Sequence, residues 1–202
     1  MDAGKLDFNI EYQENFSRGK LLLRTFFGAI YIAIPHLFLL VFISLAISVV
    51  SPLAALAILF TGKHPRGLFN FSLGYWGWQA RLAANLTNLT DTHPKIGLAA
   101  ESESVKFQVG FPESFSRVSV IFRSILGPIV VGIPQGIVLS LRTVWSGVLQ
   151  SLAFWIVLFT GKYPEGWHSF AVGTLRWQFR IAAWYAFLIT DRLPPFNGRN
   201  ED

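Results

Sequence analysis

Cysteine is absent from this 202-residue chain, which removes disulfides, thiolate metal sites and cysteine nucleophiles and leaves the redox compartment open. Charge is scarce as well. Asp, Glu, Lys and Arg make up 14% of the residues, against about 25% in an ordinary soluble domain. Hydrophobic residues reach 52% and aromatics 15%. So few charges cannot cover a solvated surface of this size, so lipid is expected to cover much of it. The net charge of +5 comes from Lys and Arg scattered among Leu, Phe and Ile. That pattern suits anionic lipid headgroups and not nucleic acid, which favours a gathered basic tail or stripe. Met1 to Gln13 is polar and acidic and lacks an apolar run, so no cleavable signal peptide is expected there.

What the chain does have is itself, twice. At a shift of 99 residues Thr61-Gly62-Lys63-His64-Pro65 falls on Thr160-Gly161-Lys162-Tyr163-Pro164, and Trp78-Gln79-Ala80-Arg81 falls on Trp177-Gln178-Phe179-Arg180. Phe16-Ser17-Arg18 meets Phe115-Ser116-Arg117, Arg24 meets Arg123, and Ile34-Pro35 meets Ile133-Pro134. One inserted residue then brings Thr90-Asp91 onto Thr190-Asp191. The organisation is a first membrane repeat over 6–95, a linker over 96–104 and a second repeat over 105–196. Duplication in an apolar chain predicts a pseudo-symmetric membrane protein.

Each repeat opens with period-two alternation, Leu6, Phe8, Ile10 and Tyr12 in one and Val105, Phe107, Val109 and Phe111 in the other. This reads as two short half-buried strands, whose open edges predict pairing with one another outside the lipid. Ser17 and Ser116 then suit the N-caps of helices over Ser17–Ile34 and Ser116–Ile133. Their cations lie among apolar residues, as in a helix resting at the membrane interface, and Pro35 and Pro134 are expected to end or kink it. His36 to Phe60 holds no charge and Gln135 to Phe159 only Arg142, so each is long enough to span the hydrocarbon. After the Thr-Gly-Lys-x-Pro turn come Gly67–Leu89 and Gly166–Ile189, rich in Trp but interrupted by Arg81 and by Arg176 and Arg180.

The expected fold class is an all-α membrane protein: an internally duplicated four-helix transmembrane bundle with interfacial amphipathic helices and short extramembrane strands. Length favours four spans, and the Arg content of the second helices favours two. With four, the positive-inside rule places both termini in the cytoplasm, because only Lys63, Arg66 and Lys162 fall on the opposite side. Trp76, Trp167, Trp184, Tyr163 and Tyr185 are candidates for interfacial belts, or for packing between helices.

The candidate site residues are charged. Arg81 and Arg180 each sit about 15 Å inside the end of their helix at 1.5 Å per residue. A guanidinium there must turn inward, pair with an acid or a lipid phosphate, or reach out to the headgroups. They read as a lipid or anion site, or as structural braces. Asp91 and Asp191 pair with Arg24 and Arg123 on one reading and are solvated turn residues on the other. No catalytic residue, metal site or cofactor is indicated. The four His residues are not duplicated between the repeats and show no ligand spacing. Gly62-Lys63 lacks the rest of a phosphate loop.

The run Leu59-Phe60-Thr61-Gly62-Lys63-His64-Pro65-Arg66-Gly67-Leu68-Phe69-Asn70-Phe71 resembles a bacterial membrane family, domain of unknown function number 4389. So do Ile34-Pro35-His36, Arg81-Leu82-Ala83-Ala84 and Leu188-Ile189-Thr190-Asp191-Arg192-Leu193-Pro194-Pro195-Phe196. The resemblance covers both repeats and implies a polytopic bacterial membrane protein, with no activity attached. The expected function is a non-catalytic accessory or scaffolding subunit of a larger complex in the bacterial cytoplasmic membrane, with anionic lipids and other membrane subunits as partners. The alternative is a small transporter or lipid- or anion-binding protein that uses the intramembrane Arg pair.

Overall fold

The computed structural model describes residues 3–189 and 193–199 and is mostly helical. In chain order the elements are strand β1 (Leu6–Ile10), α1 (Arg18–Gly28), a π-helical turn (Ala29–Ala33), α2 (Ile34–Thr61), α3 (Arg66–Leu86) and β2 (Val105–Val109). There follow α4 (Arg117–Ile121), two π-helical turns (Phe122–Leu126 and Pro128–Gly132), α5 (Ile133–Thr160) and α6 (Glu165–Tyr185).

The strands pair as their alternation predicts. β1 and β2 run antiparallel with Phe8 opposite Phe107, two residues that the repeat itself makes equivalent. The pseudo-twofold axis therefore passes between them, normal to the sheet. Leu6, Phe8, Ile10, Val105, Phe107 and Val109 form one face, and Phe8 and Phe107 both meet the Phe179 ring on α6. Asp7, Asn9, Lys106 and Gln108 form the other, where Asp7 and Lys106 make an exposed ion pair.

Proline does not divide the long helices. Arg18 to Thr61 is one helix of 44 residues, about 66 Å if straight at 1.5 Å per residue. Pro35 and Pro134 lack an N–H, and the π turns just before each absorb the missing hydrogen bond by widening the helix locally. The expected end or kink is thus replaced by a π turn, and the interfacial and spanning segments join. Pro52, too, lies inside α2, which continues through it. Gly62 and Gly161 then close α2 and α5 in the left-handed conformation, at φ 73° and 74°, where a side chain would be strained.

The long helices of the two repeats meet end to start. Phe16 N–H donates to Gly161 O at 2.8 Å, and Phe115 N–H to Gly62 O at 2.9 Å. α1 packs along the last part of α5, and α4 along the last part of α2. α3 lies between α2 and β2, and α6 between α5 and β1. The layers, counted along the axis, are the sheet, then α3 with α6, then the long helices.

Among the described residues, two helices are long and apolar enough to cross a membrane, Arg18–Thr61 and Pro128–Thr160. They present apolar side chains outward along their length, from Phe26 (68% exposed) to Phe60 (73%) and from Ile129 (62%) to Phe159 (72%). α3 and α6, the second expected span of each repeat, have no such face. On α6 only Glu165, Gly166 and Ser169 are exposed, and on α3 only Arg66, Gly67, Asn70 and Leu86. Their apolar residues are covered by protein. The aromatic belt is redistributed in the same way: Trp184 and Tyr163 are buried, and the exposed tryptophans are Trp145 and Trp155 on α5.

Candidate functional site

The buried cations define the chemistry of this molecule, and each has a defined set of acceptors. Arg24 on α1 reaches the loop after α3. Its Nε donates to Asn88 Oδ1 at 2.5 Å and its Nη1 to Thr90 O at 2.8 Å, with Asp91 Oδ1 at 3.4 Å. Asp91 Oδ2 in turn accepts from the backbone N–H of Ser17 at 2.6 Å, and Asp91 N–H donates to Gln13 Oε1 at 2.9 Å. The expected Arg24–Asp91 pair thus forms, and it ties the N-terminus of α1 to the end of α3.

Arg123 holds the equivalent place in the second repeat. Its Nε donates to Ser119 Oγ at 3.0 Å and its Nη1 to the carbonyls of Trp184 (2.7 Å) and Ile189 (3.2 Å). The guanidinium also lies 4.8 Å from the Trp184 ring centroid, a cation–π contact. Asp191 lies outside the described residues.

Arg81 and Arg180 hold the loops that return over α3 and α6. Arg81 Nη2 donates to Gly97 O at 2.6 Å; Arg180 Nη1 and Nη2 donate to Asn197 O (3.0 Å) and Arg199 O (2.7 Å). Backbone carbonyls thus take one Nη of Arg81 and both Nη groups of Arg180. The bracing reading of this pair fits the geometry better than the intramembrane anion site does. The helices that carry them are covered by polar loops, so the depth of about 15 Å is depth in protein.

The unduplicated His residues have structural partners too. Trp78 Nε1–H donates to His36 Nδ1 at 2.7 Å, and in the other repeat Trp177 Nε1–H donates to Gln135 Oε1 at 2.7 Å. Position 36 and its equivalent thus need an acceptor, and an imidazole or an amide supplies it equally. His168 Nε2–H donates to Leu89 O at 3.0 Å among the rings of Tyr12 and Tyr163, and burial lowers its pKa. Burial likewise lowers that of His64, which is packed on Phe69 and Phe115. Among the described residues no three His, Asp or Glu side chains gather in a metal-binding group.

Two cations that the sequence shows only as interruptions of apolar helices, Arg142 and Arg176, line a common cavity with Arg199. The signal that could have found them is their mismatch: the first repeat has Ile43 and Gly77 at these places.

Neither the curated proteins nor the solved structures gave a match. A family model described as domain of unknown function (DUF4389) matches residues 20–96 and again 119–197. The two matches cover both halves of the duplication and most of the chain. The chain therefore belongs to the DUF4389 family, of which it carries two tandem copies.

Proposed function

We propose that the protein is a non-catalytic integral membrane protein lying in one leaflet of the bacterial cytoplasmic membrane, on its cytoplasmic face. There it serves as an accessory or scaffolding subunit of a larger membrane complex. The observation that carries the orientation is the antiparallel pairing of the long helices across the pseudo-twofold axis. A twofold preserves direction along its axis and reverses it across, so an antiparallel related pair must lie perpendicular to that axis. The axis is also the normal of a sheet whose outer face carries Asp7, Asn9, Lys106 and Gln108. Upright long helices would put those polar residues at mid-depth in the hydrocarbon, where each charge costs at least ~2.5 kcal/mol. With the axis along the membrane normal, the sheet faces water and the apolar side of both helices faces lipid.

Charge supports the same orientation. Lys63, Arg66 and Lys162, which four spans would separate from the other cations, lie at helix ends level with Arg18 and Arg117. These cations then share one side, and the positive-inside rule makes it the cytoplasmic one. The accessory role rests on the water-facing layer. It holds a two-stranded sheet with open edges and, among the described residues, no constellation of nucleophile and base, which suits a docking platform better than an active site. Lipid and partner subunits are its two surfaces of contact.

Single cysteines test this cleanly in a chain that has none. With Lys63→Cys, Lys162→Cys and Lys106→Cys, a membrane-impermeant maleimide is expected to label all three from the cytoplasmic side. Labelling of the first two from the periplasm, opposite to position 106, would establish the four-span bundle and overturn the in-plane reading. A protein partner retained stoichiometrically through mild-detergent purification is the expected result for the accessory role, and its consistent absence counts against it.

A further inference from the structure

Cations present in one repeat and missing from the other are cations the shared fold does without. Arg142 stands where the first repeat has Ile43, and Arg176 where it has Gly77, yet α5 packs on α6 as α2 packs on α3. Both unmatched cations line one cavity of about 610 Å³, together with Ser169, Asn197 and Arg199.

Among the described residues the hydrogen-bond acceptors of these two guanidiniums are neutral. Arg142 Nε donates to Thr174 Oγ1 at 3.0 Å and Nη2 to Phe170 O at 3.3 Å, with the Phe170 ring centroid 4.1 Å away. Its Nη1 has no hydrogen bond among the described residues. Arg176, 7% exposed, donates to Phe8 O at 2.8 Å, Gly198 O at 2.7 Å and Asn9 Oδ1 at 3.1 Å. Asp7, which acts on Arg176 from the sheet, is already paired with Lys106. Among the described residues the lining of the cavity contains no carboxylate. Three arginines thus line one cavity, and the acceptors of Arg142 and Arg176 among the described residues are carbonyl, amide and hydroxyl oxygens. An anion with several oxygens can accept from more than one guanidinium fork.

We propose that this cavity binds a phosphate group, as carried by an anionic phospholipid headgroup or free in solution. Arg142 and Arg199 grip the phosphate from either side and Arg176 supplies charge from the floor. This is a different place from Arg81 and Arg180, which hold the loops after α3 and α6 through backbone carbonyls. Its position fits a headgroup. It opens where the lipid-facing helix α5 meets α6 and the 193–199 segment, beside the exposed side chains of Leu193 (57%) and Phe196 (56%). The lipid as source rests on the in-plane reading; the phosphate chemistry does not.

The test is a binding titration on the full chain in mild non-ionic detergent, with short-chain phosphatidylglycerol and inorganic phosphate as probes and phosphatidylcholine as the comparison lipid. Saturable binding of phosphatidylglycerol or phosphate is expected. Arg142→Ile, which restores the residue of the first repeat, should weaken it about tenfold or more, and Arg142→Lys less. Arg199→Glu, at an exposed side chain, should weaken it as well and serves should Arg142→Ile fail to fold. Competition by inorganic phosphate identifies the free anion as the ligand; retained phosphatidylglycerol without competition identifies the lipid. Phosphatidylcholine bound as tightly as phosphatidylglycerol, no saturable binding of either probe, or undiminished affinity in both Arg142→Ile and Arg199→Glu overturns the proposal. Detergent binding has no sidedness, so this outcome is independent of the cysteine labelling.

Discussion

Arg24 and Arg123 hold equivalent places in the two repeats. Arg24 meets a carboxylate and two neutral oxygens, and among the described residues the partners of Arg123 include two carbonyls, the Ser119 hydroxyl and the face of Trp184. Either set ties the start of a long helix to the end of the core helix behind it. The buried imidazoles place a second demand on the residue scale, because they are held neutral. His64 and His168, both outside the long helices, have folded pKa values below the ordinary ~6.5. Burial is the main cause, opposed at His168 by its bond to Leu89 O and by Glu165. The unfolded chain then binds more protons than the folded one at acid pH. Their contribution is fully present above pH ~6.5 and is lost as pH falls from there through the folded pKa values. Thermal unfolding in detergent should show stability level above pH ~7 and declining below pH ~6.5. His168→Phe, the residue of the other repeat at position 69, should flatten that decline. An acid limb unchanged in both His168→Phe and His64→Tyr would show that other groups produce it.

At the scale of elements, the signals legible in the sequence were local ones. Period-two alternation marked β1 and β2, Ser17 caps α1 through its bond from Lys20 N–H at 3.4 Å, and Gly62 and Gly161 end α2 and α5. Two things were hidden. Pro35 and Pro134 carry no mark that a π turn will accommodate them, since that depends on the helix being held on both sides. The depth of α3 and α6 was hidden as well, because an apolar stretch reads the same whether lipid or protein covers it. The clue lay in small residues: a Cβ at Gly74 would stand 2.7 Å from Leu98 O, and one at Gly198 would run into the Gly173 backbone. The loop after each core helix crosses it at backbone contact, which no lipid-facing helix requires. Gly198→Ala should therefore force the 193–199 segment off α6, at about 1–3 kcal/mol by the usual cost of overpacking. Gly67→Ala and Gly166→Ala, where a Cβ meets nothing within 4 Å, should be neutral or slightly stabilising. Equal melting points for Gly198→Ala and Gly166→Ala would show that the loop yields freely.

The two faces of the molecule are unlike, and on the proposed reading symmetry decides how it would meet a bilayer. The duplication could be read from the sequence, but the direction of its axis could not, because that depends on which strand pairs with which. Once Phe8 faces Phe107, the axis, the sheet normal and the stacking direction coincide, and the end-to-end vector of each long helix must lie across them. Trp145 and Trp155 turn this into a measurement. Both are exposed on α5, 57% and 56%, ten positions apart along one helix. Upright in the membrane they would differ in depth by about 15 Å at 1.5 Å per residue. Lying in the plane, they share one depth. Variants that keep one or the other of these tryptophans, with the remaining six replaced by Phe, can be placed in bilayers of lipids brominated near the headgroup or near the chain end. Should the heavily substituted background not fold, adding Trp145→Phe or Trp155→Phe to the intact chain gives the same comparison by difference. Matching quenching profiles for the two positions are expected, with stronger quenching from the headgroup side. Profiles displaced toward opposite halves of the leaflet pair would require the long helices to cross the membrane, and the polar sheet would then need a watery cavity at its centre.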